Sequence, residues 1–79
     1  MVWIRYPDPK VGDQHLEMAP EQVVDFLEEN ISKFKLGVWE TGDEAMNLEA
    51  AMANKTNLLE VLEQRANDTL RLQPVIAGG

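Results

Sequence analysis

Few residues of this 79-residue chain carry side chains able to do covalent chemistry. Cysteine is absent and histidine occurs once, as His15. That excludes thiolate nucleophiles, disulfides and cysteine-ligated zinc. With no second ligand at metal spacing, His15 reads as a surface strand residue. Adjacent acidic pairs, Glu28 with Glu29 and Asp43 with Glu44, point in different directions on a helix and read as solvated faces. No nucleophile, glycine-rich phosphate loop or basic stripe is present, so no intrinsic enzyme is expected. The segment Pro74-Val75-Ile76-Ala77-Gly78-Gly79 suits main-chain chemistry instead. Glycine has no Cβ, so Gly78 and Gly79 can thread a narrow channel and lie flat against its walls. A carboxylate so presented can attack the α-phosphorus of ATP. An acyl adenylate formed in this way would be open to a sulfur nucleophile or an amine, and with ATP held by a partner this chain would need no catalytic group or intrinsically bound cofactor.

Such a tip needs a scaffold. Thr69 to Gln73 alternates, with Leu70 and Leu72 on one side and Arg71 and Gln73 on the other, which is the period of a half-buried strand. Pro74 fits a strand edge or exit. At the other end Val2, Ile4 and Tyr6 fall on one side of an extended stretch, and Pro7 and Pro9 end it. The segment from Pro7 to Asp13 supplies turn residues. Gln14 to Met18 alternates again, with Leu16 and Met18 inward and His15 and Glu17 outward, which predicts an amino-terminal hairpin. Pro20 and Glu21 open a helix running to about Lys33, with Val23, Val24, Leu27, Ile31 and Phe34 on its apolar face. Lys35 to Glu40 reads as a third strand, or else as a connector between helices. Thr41-Gly42-Asp43-Glu44 has the spacing of a capping box and predicts a second helix. From Asp43 to Arg65 the apolar spacing is helical but Asn54-Lys55-Thr56-Asn57 interrupts it, so the region is one helix with a defect or two short ones, Asn57 and Glu60 then capping the second. If Val2, Ile4, Leu36 and Val38 face the core, Trp3 and Trp39 share the opposite side of the sheet as a possible partner face. The alternatives are that the second helical region covers them or that one strand register differs.

The expected class is therefore α+β, with residues 1–73 as one globular domain and 74–79 as a flexible C-terminal tail. A chain of this size buries only about 60–65% of its unfolded surface and holds one core. The element order, together with Leu70-x-Leu72-x-Pro74-Val75-Ile76-Ala77-Gly78-Gly79, resembles the ubiquitin-like β-grasp superfamily. In particular it is similar to the sulfur-carrier branch of molybdopterin-synthase small subunits and thiamine-pathway carriers. The close match covers about the last dozen residues and the rest matches in element order. The helical stretch at about 43–66 stands where the family commonly has short strands and turns, so it is expected as an addition. The resemblance implies a carrier or modifier whose Gly78-Gly79 is activated by an E1-like adenylating enzyme. The product would pass to a downstream acceptor protein as a thiocarboxylate or a conjugate, with Pro74, Val75, Ile76 and Ala77 docking into the partner.

Charge offers a different reading. Fourteen acidic against seven basic side chains give a net charge of -7, which disfavours a nucleic-acid partner and suits a basic protein surface. The chain would then be an acidic adaptor or inhibitor with no C-terminal chemistry, or a helical subunit packing through Leu48 to Leu62. No signal-peptide pattern and no apolar run of about 18 residues occurs, so a cytoplasmic protein with no membrane partner is expected.

Overall fold

The computed structural model describes residues 1–74. Strands β1 (Val2–Asp8) and β2 (Gly12–Met18) form an antiparallel hairpin paired from Val2↔Met18 to Asp8↔Gly12. Its turn is closed by the Lys10 N–H donating to Asp8 Oδ1 at 2.8 Å, and Gly12 takes a φ of +84° that side-chain-bearing residues rarely adopt. Both strands run further into the turn than the alternation suggests. Pro7 is tolerated in β1 because it lies beyond the last β1–β5 pair, Arg5↔Arg71, so β5 makes no use of its missing N–H.

Helix α1 (Pro20–Glu29) begins with the expected proline, and Gln22 Oε1 accepts a hydrogen bond from the Ala19 N–H at 2.9 Å. It ends short of Lys33 because Asn30 terminates it. The Asn30 N–H reaches Phe26 O and Leu27 O, and its side-chain amide donates to Phe26 O at 2.8 Å. Phe34 keeps the helical spacing in sequence but is the first residue of β3 (Phe34–Trp39).

The segment after β3 differs most from expectation. Thr41 does not cap a helix. Residues 40–43 form a turn in which Gly42 and Asp43 have positive φ, and a short strand, β4 (Ala45–Asn47), pairs with β3. Two helices follow, α2 (Leu48–Ala53) and α3 (Lys55–Gln64). Their N-caps are Asn47, which accepts from the Ala50 N–H, and Asn54, which accepts from the Asn57 N–H. The polar interruption is thus the junction between two helices, and Asn54 rather than Asn57 makes the cap.

Strand β5 (Thr69–Pro74) completes a five-stranded sheet of order β2-β1-β5-β3-β4. The β1–β5 pair is parallel and the other pairs are antiparallel. Pro74, expected to begin the tail, is the last residue of β5 and pairs with Phe34. The described residues therefore form a small α+β molecule with a mixed five-stranded sheet and three helices.

One face of the sheet carries the core. Val2 and Ile4 from β1, Leu70 and Leu72 from β5, and Phe34 and Trp39 from β3 meet Val23 and Leu27 of α1, Leu48 of α2, and Leu58 and Leu62 of α3. The parity of β3 is not what simple alternation gives. A register shift between Phe34 and Leu36 reverses the strand, so Trp39 faces inward while Leu36 and Val38 face out. Insertion of one unpaired residue exchanges the two faces for everything beyond it. Gly37 is the inward residue of the shifted register, and a Cβ there would lie 2.8 Å from Leu70 Cδ1.

Candidate functional site

β5 lies in the middle of the sheet and its carboxyl end leads to the segment from which main-chain chemistry is expected. Pro74 is exposed at that end. Val75, Ile76, Ala77, Gly78 and Gly79 lie outside the described residues.

The start of β5 is held by a polar network. Asp68, with its side chain 10% exposed, accepts through Oδ1 from the Thr69 N–H at 2.8 Å, from Thr41 Oγ1 at 3.0 Å and from the Thr41 N–H at 3.3 Å. Arg65 Nη1 donates to Asp68 Oδ2 at 3.3 Å and to Thr41 O at 3.1 Å, and its Nη2 pairs with Glu44. The same guanidinium lies over the Trp39 ring, 5.1 Å from its centroid, an arrangement that favours a cation on the ring face. Main-chain bonds from the Trp3 N–H to Asp68 O and from the Glu40 N–H to Thr69 O tie this corner to β1 and β3. Burial works to raise the Asp68 carboxyl, but the donors from Thr69, Thr41 and Arg65 together outweigh it and hold the group below its ordinary range.

The uncovered face of the sheet is the second feature. Residues paired across strands project to the same face, so the register places Trp3 with Glu17 and Thr69, Arg5 with His15 and Arg71, and Val38 with Arg71. Trp3 is half-buried there, its ring 4.8 Å from that of His15. Trp39, expected beside it, is instead 2% exposed and part of the core. The correction follows from the β3 register shift and from the second helical region packing over that residue. Leu36 takes its place outside, 37% exposed, with Val38 half-buried.

Between Arg5 and Arg71 and the strand ends beyond them lies a cleft of about 310 Å³. It opens where the parallel ladder stops after Arg5↔Arg71. Both strands then carry a proline, Pro7 and Pro74, that has no N–H to offer. Neither this cleft nor the Asp68 network was singled out by sequence reasoning. The available signal was that Arg5 and Arg71 each fall at an outward position of their strands, but pairing β1 with β5 requires the topology. Among the described residues no group of three or more His, Cys, Asp or Glu side chains is placed to hold a metal ion, and no helix is long and apolar enough to cross a membrane.

Comparison with family models, with curated proteins and with solved structures finds no match for this chain.

Proposed function

We propose that this chain is a ubiquitin-like, β-grasp carrier or modifier. Its Gly79 carboxylate is adenylated by an E1-like enzyme and passed on as a thiocarboxylate or as a conjugate to an acceptor protein. The observation that carries this reading is the position of β5, a central strand parallel to β1 that runs directly into Pro74-Val75-Ile76-Ala77-Gly78-Gly79. A hairpin, a crossing helix α1 and the order β2-β1-β5-β3-β4 are compatible with β-grasp architecture and support this reading. The polar network at Asp68 fixes where β5 begins, so the strand has a defined direction from which to deliver its end. Helices α2 and α3 are then an addition on the frame. The activating enzyme supplies ATP and the catalytic groups, and the reaction is placed in the cytoplasm. Gly78 and Gly79 are the reactive tip, and Pro74 with Val75, Ile76 and Ala77 is the segment that enters the partner.

The test is to incubate the chain with E1-like enzymes and ATP and to search by mass spectrometry for an adenylate, an oxygen-to-sulfur exchange or a conjugate. Removal of Gly78 and Gly79 is expected to abolish every product. Products that survive the deletion overturn the proposal.

A second reading, an acidic binding module without C-terminal chemistry, is favoured by the distribution of charge. The outward strand positions of the open sheet face balance Arg5 and Arg71 against Asp13 and Glu17, so the net charge of -7 is carried by the rest of the molecule. A basic protein would then be drawn to the helical side. Tight binding that is unaffected by deleting Gly78 and Gly79, with no covalent product, would favour this reading.

A further inference from the structure

The cleft on the open face sets two guanidinium side chains next to each other. Arg5 and Arg71 are direct partners in a parallel pair, where neighbouring strands run about 4.8 Å apart. Like charges at such positions repel unless an anion lies between or beside them. Among the described residues only one of the two has a counter-ion. Arg5 Nη2 reaches Asp13 Oδ2 at 3.4 Å, in an exposed pair. Arg71 makes no ion pair among the described residues, and its Nε is buried with no acceptor. A buried guanidinium N–H without a partner is unusual because its desolvation is left uncompensated.

The walls of the same cleft come from Pro7 on one strand and from Leu72, Gln73 and Pro74 on the other. Pro7, Leu72 and Pro74 set apolar surface beside the guanidiniums, and a charge-assisted bond formed against such surface is strengthened. Tyr6 and Asp13 complete the lining, and the contact of Asp13 with Arg5 shows one chemistry the cleft accepts, a carboxylate beside a guanidinium. The net charge of -7 makes this pair of cations a local exception on an acidic molecule.

We propose that the Arg5–Arg71 cleft is a carboxylate-binding site, in which an incoming carboxylate accepts from Arg71 and takes Arg5 from Asp13. It stands independently of any activation at Gly79. The carboxylate belongs either to a small free acid or to an acidic side chain of a partner, and both use the same guanidinium contacts.

The experiment follows the Arg Nε–H signals of the ¹⁵N-labelled chain during titration with succinate and with a short glutamate-rich peptide, each against sodium chloride at matched ionic strength. Saturable shifts at Arg71 and Arg5 are expected. Saturation by the peptide identifies a protein-borne carboxylate, and saturation by succinate alone identifies a free acid. Asp13→Asn removes the internal competitor and is expected to tighten binding about two- to fivefold, the range of an exposed ion pair. Arg71→Gln is expected to abolish saturation. Should that variant fail to fold, Arg71→Lys, which keeps the charge and the stem but lacks the fork, decides in its place by weaker binding. Shifts that track ionic strength alone, or saturation unchanged in Arg71→Gln or Arg71→Lys, overturn the proposal.

Discussion

Burial and hydrogen bonding pull the Asp68 carboxyl in opposite directions, and the donors prevail, leaving its pKa below the ordinary 3.8. The sign of the consequence is fixed by linkage. A carboxyl that loses its proton more readily when folded adds stability above its unfolded pKa, and that stability disappears as pH falls through the lower folded value. Asp68→Asn keeps an oxygen that can accept from Thr69 and Thr41 but gives up the charge facing Arg65. It is expected to lower stability at neutral pH by about 1–3 kcal/mol, the scale of bonds to a charged group. The difference should narrow below about pH 4, as the wild-type carboxyl takes up its proton. Thermal melts of both proteins from neutral to strongly acid pH measure this. A difference that stays constant across the range would mean that Asp68 acts by packing alone. Nothing local in the sequence announces this role. Thr41 and Asp68 are separated by 27 positions, and Thr41 with Glu44 matches a capping box so well that the helical alternative is preferred until the sheet brings β5 alongside.

The register of β3 decides which side chains of that strand are core. Gly37 faces inward, where a Cβ would sit 2.8 Å from Leu70 Cδ1, 3.2 Å from Leu70 Cγ and 3.4 Å from Leu48 Cδ2. Both leucines are fully buried, so making room means shifting side chains within a close-packed core. Gly37→Ala is therefore expected to destabilise by about 1–3 kcal/mol through overpacking, despite alanine's better backbone propensity. Leu70→Val in the same chain should recover part of the loss, and chemical denaturation of the single and double variants reads the coupling. Additive losses would show that the two positions do not compete for space. The same strand shows what sequence could and could not reveal. Strand β1, α1 and β5 follow from local alternation and helical spacing, since each buries one side, as Leu70 and Leu72 do, whereas edge strand β2 alternates in sequence but leaves Leu16, expected inward, 37% exposed. A register shift such as that between Phe34 and Leu36 has no pattern of its own, so the reversal that puts Trp39 inside and Leu36 outside is invisible until the partner strand is known. β4, with only Ala45, Met46 and Asn47, is too short to display any period. Of the candidate site, Trp3 and the outward positions of Arg5 and Arg71 were legible, whereas their meeting in one cleft depends on a parallel pairing of the first strand with the last.

At the scale of the molecule the dominant electrostatic fact is excess negative charge on the side bearing the helices. Glu21, Asp25 and Glu29 stand four residues apart along α1 and are all exposed, so each neighbouring pair repels. The helix has an acidic residue in its first turn but no basic residue in its last, leaving the negative end of its dipole without a complement. Glu29→Lys and Glu21→Lys change the net charge equally, and each creates an attractive pair with Asp25 in place of a repulsive one. They differ in their place on the dipole. If overall repulsion alone limits stability, the two variants should gain equally. If the helix termini matter as well, Glu29→Lys should be the more stable by about 0.5–2 kcal/mol, since the cation is favourable at one end and unfavourable at the other. For a domain of this size that corresponds to a difference of roughly 2–16 °C in midpoint temperature. Both the shared gain and the difference should shrink in about 1 M salt, where charges more than a few ångströms apart no longer interact. Melting the three proteins at low and high salt separates the two contributions, and equal midpoints for the variants at low salt would remove the dipole from the account. The open sheet face should be unaffected by either change, so carboxylate binding in the Arg5–Arg71 cleft would respond only through the altered net charge, by modestly tighter binding in both variants alike.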